Sequence, residues 1–316
     1  MIRKAIFAMM RLHYVELNYP SSVYNVNVFN DAQTAGWDGI RAINLKVTVG
    51  ASAIIGNSAY QPIATFGAIT GGTGYTPGVY NNVALVHTGF FSPAGINATA
   101  NVTVNSLGHV SAVALVNPGE GFIVGNSLTG TIPGGSGWQV LVGSITTTYA
   151  LTVPVFPAGS KVVIYNNNYI VGKGGNGCDN GTQNWVTGWP GGAALSVAYP
   201  TTIYNNGTIA GGGGGGGQGV DTGNSSCGGG GGAGQAIGLL GGGFTAGFAG
   251  TLTTGGGGAT GGGGYHGGAG GNLGVAGGAG TGAFAGASAG GAAGYYLVGS
   301  AYVTWAVTGT RLGQVS

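Results

Sequence analysis

Charged side chains are scarce in this chain. It has 8 Lys and Arg and 6 Asp and Glu in 316 residues, or 4%, where roughly 25% is usual. Its net charge of +2 excludes the basic footprint by which a protein binds nucleic acid or an anionic membrane. Ordinary disorder is also disfavoured, because disordered chains combine low hydrophobicity with high charge, and the mean hydropathy here is +0.30. We therefore expect a chain that is ordered by backbone hydrogen bonds.

Long apolar runs are also missing. The stretch from Asp221 to Arg311 contains no charged residue between these two, but it is mainly Gly and Ala, whereas a membrane span needs about 20 strongly apolar residues. The apolar run Ala5–Met10 is shorter than the roughly 7–15 residues of a signal-peptide core. The sequence predicts that the protein is synthesised in a cytoplasm and does not insert into a membrane.

Groups that carry catalysis are few and scattered. No two of the six acids have the spacing of a catalytic pair, as hydrolysis of glycans would require, and the four histidines do not form a metal-ligand cluster. Residues 172–177 match G-x-G-x-x-G, but no helical pattern follows them, as a dinucleotide site needs. We predict a protein that is not an enzyme and uses no cofactor or metal. The two cysteines, Cys178 and Cys227, either form one disulfide or remain separate thiols.

The N-terminal half has ordinary strand patterns. Residues 23–29 and 43–49 alternate like half-buried strands, and residues 31–39 between them are typical of a turn. Residues 101–116 predict two strands around a short turn at Ser106–Gly108. We therefore divide this half into an N-terminal attachment region, 1–60, and a small antiparallel β domain, 61–145.

An internal repeat follows in residues 146–210. Residues 162–177 align with residues 201–216, so that Ile164, Tyr165 and Asn166 correspond to Ile203, Tyr204 and Asn205. In each copy a short strand turns at two asparagines, which suit tight turns, returns through an isoleucine and enters a glycine run. Stacked units of this kind predict coils of a solenoid.

Glycine accounts for 75 of the 316 residues and is the predominant residue in 211–316. A flexible linker has no reason for alternating apolar inserts, and collagen needs a strict Gly-X-Y frame with proline. The remaining possibility is a bundle of polyglycine type II helices, whose amides must pair with neighbouring chains because the helix has no internal hydrogen bonds. The predicted fold is all-β plus such a bundle, with loop inserts and closing C-terminal strands.

These features together resemble a known family. The IYNN repeats that lead into glycine runs, the short inserts and the ending VTWAVTGTRLG are similar to the glycine-rich distal tail-fibre adhesins of T-even-like phages. The resemblance implies a virion protein at a tail or fibre tip. It also implies attachment to another tail or fibre protein through the N-terminal region, and loops that bind a bacterial outer-surface protein or glycan. The alternative is a virion structural protein without a receptor role, such as a capsid fibre or tail cap.

The candidate receptor contacts are aromatic and polar residues of the inserts. Exposed Tyr and Trp are low-entropy binding anchors, although each can instead cover or fill the glycine core. The candidates are Trp185, Trp189, Asp221, Asn224, Ser225, Phe244, Phe248, Tyr265 and His266.

Overall fold

A computed structural model describes residues 13–57, 62–88, 96–120, 122, 124–178, 187–220, 226–243, 245–261, 264–282 and 288–316. These residues form two compact units. The solenoid unit contains the described residues up to 57 and from 149 to 316, and the inserted unit contains those from 62 to 148. Strands predominate, and among the described residues the α-helix is Val28–Thr34.

Three parallel five-stranded sheets form the frame of the solenoid unit. The first sheet contains, in order, His13–Tyr19, Ile43–Val49, Lys161–Asn166, Thr201–Asn205 and Val303–Val307. The second contains Val23–Tyr24, Ile54–Gly56, Tyr169–Val171, Thr208–Ala210 and Thr310–Leu312. The third contains Val26–Asn27, Tyr149–Val153, Ala193–Val197, Tyr295–Val298 and Gln314–Val315. Each successive coil of the chain places one strand in each sheet, which makes a β-solenoid of five coils.

Alternate side chains of these strands fill the solenoid core. In Ile43–Val49 every second residue is buried, because successive side chains of a strand point to opposite faces. The two copies of the repeat are the third and fourth coils, and they pair in register, with Ile164 opposite Ile203 and Ile170 opposite Ile209. The strands of one copy belong to different sheets, so the predicted return of the chain within each copy is wrong. The chain advances to the next sheet instead.

A polar ladder runs through the corner of these coils. The Asn166 Nδ2 donates to the Asn205 Oδ1 at 2.7 Å, and the Asn205 Nδ2 donates to the carbonyl oxygens of Thr308 and Thr310 at 2.9 and 3.1 Å. Both amides are fully buried, so the ladder satisfies polar groups that burial would otherwise leave unpaired. On the outside, the rings of Tyr165 and Tyr204 stack with centroids 4.7 Å apart.

The predicted strand over 23–29 and the predicted turn over 31–39 are both wrong in part. The strand is broken at Asn25, which has φ of 50°, and a helix begins at Val28. Asn27 caps this helix, because its side-chain oxygen accepts from the amides of Phe29 and Asn30. Val28 and Ala32 face the core one helical turn apart. Because residues 23–29 alternate like a strand, the sequence pattern did not indicate that Asn27 caps a helix.

The inserted unit consists of two antiparallel sheets. One contains Val110–Glu120, Ile96–Val104 and Gly78–Ala84, and the other contains Ile63–Tyr75, Gly134–Ile145, Ser127–Thr129 and Val86–His87. The two strands predicted around Ser106–Gly108 are confirmed, since Val104 pairs with Val110 across this turn. Trp138 and Phe122 are almost completely buried in a core separate from that of the solenoid.

Long segments replace one corner of the solenoid in three coils. In the first and last coils a single residue, Asn25 or Gly313, connects the second sheet to the third, and both residues have positive φ. In the second coil the same connection contains the inserted unit. In the third and fourth coils it contains residues 172–192 and 211–294, whose described residues we call the glycine-rich body.

Backbone hydrogen bonds in the glycine-rich body recur every third residue. The amides of Gly172, Gly175 and Cys178 donate to the carbonyls of Ala210, Gly213 and Gly216 at 2.8–2.9 Å. Residues 211–218 are buried along their whole length. Within this stretch, the backbone of residues 212–217 bonds with six other segments: 172–178, 189–192, 230–233, 268–271, 275–278 and 291–294. The central segment is therefore surrounded by other backbones.

Only glycine fits at such a distance between backbones. A Cβ on Gly212 would overlap the carbonyl of Lys173, and a Cβ on Gly215 would overlap the carbonyl of Asn176. Real Cβ atoms essentially never lie under 3.0 Å from another heavy atom. Glycine is thus required by packing in the central segment, because the absence of a Cβ permits this close approach.

Candidate binding surface

The glycine-rich body has one end at the solenoid. Gly172 and Gly211 follow solenoid strands directly, while Gly192 and Gly294 precede them. Three reversals of the chain lie at this near end: 234–237, 251–254 and 272–274. The first is fixed by the Asn57 amide, which donates to the Gln235 carbonyl at 2.7 Å, and the last by the Gly274 amide, which donates to the Gly211 carbonyl at 2.8 Å.

Five connections join the segments at the opposite end, which we call the remote end. The connections lie between the described residues 178 and 187, 220 and 226, 243 and 247, 260 and 266, and 281 and 288. Backbone bonds hold their bases side by side. The Gly229 amide donates to the Cys178 carbonyl at 3.1 Å, and the Gly228 amide donates to the Thr245 carbonyl at 2.9 Å. Inserts that are separate in the sequence are therefore neighbours at one end.

Short β-bridges tie these bases together. Gly219–Val220 pairs antiparallel with Ser226–Cys227, and Cys227 forms a parallel bridge with Thr245. His266 bridges both Thr260 and Thr281. At the fifth connection, the Ser288 amide donates to the Gln218 carbonyl at 3.2 Å. The bridges form two groups, one at the second and third connections and one at the fourth and fifth, and we call these bridged bases together the platform.

Four of the nine predicted contact residues lie in the described part of the chain. Trp189 is half-buried, and its amide donates to the Asn176 carbonyl at 3.0 Å. Phe248 is 65% exposed beside Gly257, midway between the remote and near ends of its segment. His266 is exposed at the remote end, whereas Tyr265 is only 9% exposed, which favours the core position that the sequence left open. The other five lie outside the described residues: Trp185, Asp221, Asn224, Ser225 and Phe244.

No disulfide joins the two cysteines. Cys178 and Cys227 are both buried thiols. The Cys227 Sγ lies 2.9 Å from the Thr245 Oγ1 and 3.9 Å from the Tyr265 carbonyl oxygen, so it is directed towards the neighbouring connections. The bridge considered from the sequence is therefore not formed.

Charge is concentrated on the solenoid. Among the described residues, ion pairs join Arg41 to Asp38 and Lys46 to Glu16, at 2.6 and 2.8 Å. Hydrogen bonds from the amides of Ile40 and Arg41, and from the Arg41 side chain, lower the pKa of Asp38 to about 2. None of the described residues at the remote end is Lys, Arg, Asp or Glu. Of the charged residues in the sequence, Asp179 and Asp221 fall within the connections themselves, outside the described residues.

Two further features are absent from the described part of the chain. It contains no group of three or more His, Cys, Asp and Glu side chains that could hold a metal ion. No helix in the same residues is long and apolar enough to cross a membrane.

Sequence reasoning missed the residues that form the platform. Thr245, Thr260 and Thr281 take part in the bridges, but they were not among the candidates. The signal available was a β-branched residue beside an insert, in a region otherwise made of Gly and Ala, since such residues favour strand pairing.

The geometry defines a class of protein: an all-β protein whose solenoid carries a glycine-rich body with several connections at one end. The family described as "Phage tail fibre adhesin Gp38" matches residues 94–316. The chain belongs to this family. The match begins within the inserted unit, so the first two strands of the first sheet lie outside it.

One solved structure is similar over part of the chain. It is described as "Crystal structure of the gp37-gp38 adhesin tip complex of the bacteriophage S16 long tail fiber", with 30% identity and a TM-score of 0.38. The alignment covers 53% of this chain and 59% of that one, so the chain spans less than two thirds of its relative. The comparison with curated proteins gives no match.

Proposed function

We propose that this protein is the receptor-binding adhesin at the tip of a phage tail fibre. It binds a bacterial outer-surface protein or glycan through the five connections of the remote end. One observation carries this proposal: inserts from separate parts of an adhesin-family sequence have their bases hydrogen-bonded to one another at a single end. The binding is recognition without covalent chemistry.

We further propose that the glycine segments are polyglycine type II helices. The three-residue recurrence of hydrogen bonds and the six neighbouring segments of residues 212–217 support this, because such a helix has three residues per turn and no internal hydrogen bonds. At a rise of about 3.1 Å per residue, a seven-residue run spans about 22 Å. A body of this kind holds the connections in place, so little conformational entropy is lost on binding.

The attachment partner is another tail or fibre protein that contacts the N-terminal region. The first coil supplies the outermost strand of each sheet, His13–Tyr19, Val23–Tyr24 and Val26–Asn27, and the outer edge of such a strand can pair with another chain. Several fibres on one virion would add avidity. A non-receptor structural protein of the virion is the alternative function.

Cell binding tests the proposal directly. Fluorescently labelled protein is mixed with a panel of intact bacteria, and a variant with residues 221–225 scrambled is compared with the wild type. A matched control changes two exposed near-end residues, Thr253→Ala and Val275→Ser. The adhesin role predicts binding to particular hosts, lost in the scrambled variant and kept in the control. If the wild type is incorporated into virions but binds no cell, including the host of its phage, the structural alternative replaces it.

A further inference from the structure

Three connections of the remote end meet in one buried cluster. Cys227 follows the second connection, Thr245 lies in the third and Tyr265 lies in the fourth. Cys227 is fully buried, Ala259 is 2% exposed and Tyr265 is 9% exposed, and they pack together. The Cys227 Sγ contacts the Thr245 Oγ1 at 2.9 Å, so a single thiol touches two neighbouring connections.

The Tyr265 ring occupies the place of a missing side chain. A Cβ on Gly261 would lie under 3.0 Å from both the Tyr265 ring and the Cys227 Sγ. The turn is closed by the Gly261 amide, which donates to the Tyr265 carbonyl oxygen at 3.1 Å. The Tyr265 ring, the Cys227 thiol and Gly261 therefore pack against one another and restrict each other's positions.

The cluster also joins two separate groups of β-bridges. Cys227 belongs to the group that includes Gly219–Val220 and Thr245. Tyr265 precedes His266, whose bridges reach Thr260 and Thr281. Contact between Cys227 and Tyr265 thus links the second and third connections to the fourth and fifth.

We propose that Tyr265 and Cys227 are positioning residues that hold these connections as one preorganised binding surface. The inference rests on the proposed adhesin function. Tyr265 acts through its buried ring and its carbonyl oxygen, and not as a contact with the receptor. Without the ring the connections would sample more arrangements, and ordering them on binding would lower the affinity.

Variants of Tyr265 separate positioning from contact. Tyr265→Phe keeps the ring and the backbone, whereas Tyr265→Ala removes the ring. We expect the phenylalanine variant to bind host cells within about twofold of the wild type, and the alanine variant to bind about 10-fold more weakly with faster dissociation. Amide hydrogen exchange in residues 221–225 and 243–246 should accelerate only in the alanine variant. Cys227→Ala, a smaller change, should accelerate the same exchange if Tyr265→Ala does not fold.

A matched control removes a buried side chain at the near end. Leu273 is 5% exposed and packs with Val171 and Ala210, so Leu273→Ala should lower the melting temperature without weakening binding. The positioning role is overturned if Tyr265→Ala binds as the wild type does, if Tyr265→Phe loses as much affinity as Tyr265→Ala, or if Leu273→Ala loses as much. Failure of the wild type to bind any cell overturns the adhesin function itself, and the positioning role with it.

Discussion

In the centre of the glycine-rich body, contacts between backbones, and not side-chain packing, decide which residue type fits at each position. Gly215 lies on the central segment, where its amide donates to the Trp189 carbonyl at 2.8 Å and its own carbonyl accepts from Gly291 at 2.7 Å. A Cβ there would overlap the Asn176 carbonyl. Gly257, by contrast, lies at the surface, and its Cβ would meet only the Phe248 Cδ2, at an ordinary 3.5 Å.

We expect Gly215→Ala to destabilise the protein far more than Gly257→Ala. Overpacking costs about 1–3 kcal/mol and sometimes more, and at Gly215 the obstacle is backbone that cannot rotate away. Thermal unfolding followed by circular dichroism should show a fall of at least about 5 °C for Gly215→Ala and little change for Gly257→Ala. Equal melting temperatures would show that the segments are not packed as closely as described.

The buried asparagine ladder makes a second prediction at this scale. Asn205→Ala removes the partner of the Asn166 amide and of two carbonyl oxygens, which should cost about 2–4 kcal/mol. The neighbouring Asn206 is exposed, and its side chain donates to the exposed side chain of Asn167 at 3.0 Å, so Asn206→Ala should change stability by about 0.5 kcal/mol or less. Chemical denaturation measures both values, and similar costs for the two variants would contradict the ladder's role.

At the scale of elements, local patterns predicted strands better than they predicted the architecture. The strand at 43–49 and the closing strands near the C-terminus were predictable from alternation, and the IYNN repeat from direct comparison. The five-coil solenoid was not, because some of its strands are only two or three residues long and long segments separate consecutive strands of the third sheet. Those segments hide the period that normally reveals a solenoid.

The common corner of the coils predicts that the inserted unit is dispensable for folding. In the last coil one residue, Gly313, spans the corner between Leu312 and Gln314. In the second coil, Gly56 occupies the position equivalent to Leu312, and Tyr149 the position equivalent to Gln314. Deleting 58–148 leaves Asn57 as a one-residue corner. We expect a folded protein that keeps host-cell binding, measured by circular dichroism and the labelled-cell assay. A folded deletion variant that no longer binds would place receptor contacts in the inserted unit.

At the scale of the whole molecule, the scarcity of charge determines how binding should respond to salt. The described residues of the remote end lack Lys, Arg, Asp and Glu, and both described ion pairs lie on the solenoid. Screening acts on exposed charges, and the five connections contain only two charged residues, Asp179 and Asp221, so binding should depend only weakly on ionic strength.

We therefore expect the affinity for host cells to change less than about twofold between about 50 and 500 mM salt. Binding isotherms at the two concentrations measure this. A steep loss of affinity at high salt would indicate a charged surface instead, such as the lysines Lys46 and Lys161 on the outer face of the first sheet.

Only part of the candidate site could be predicted from the sequence. Inserts between glycine runs could be recognised because their composition differs from the runs, and the predicted contacts Phe248 and His266 are exposed. The sequence could not show which inserts lie at the remote end, because successive segments run in opposite directions and the near-end and remote-end inserts look alike in sequence. Residues 251–254 reverse at the near end, although residues 245–250 lead there from the remote end. Burial of Tyr265 likewise depends on Cys227 and Gly261, which only the fold brings together.

Receptor binding at the remote end is tested most directly by blocking one end of the glycine-rich body at a time. Thr260 at the remote end and Thr253 at the near end are both exposed, and the native thiols are buried, so maleimide polyethylene glycol should react selectively with T260C or T253C. Host-cell binding is measured before and after modification. If the receptor binds at the remote end, modified T260C should lose binding while modified T253C retains it. Loss of binding in modified T253C, with binding retained in modified T260C, would contradict the assignment of the receptor surface to the remote end.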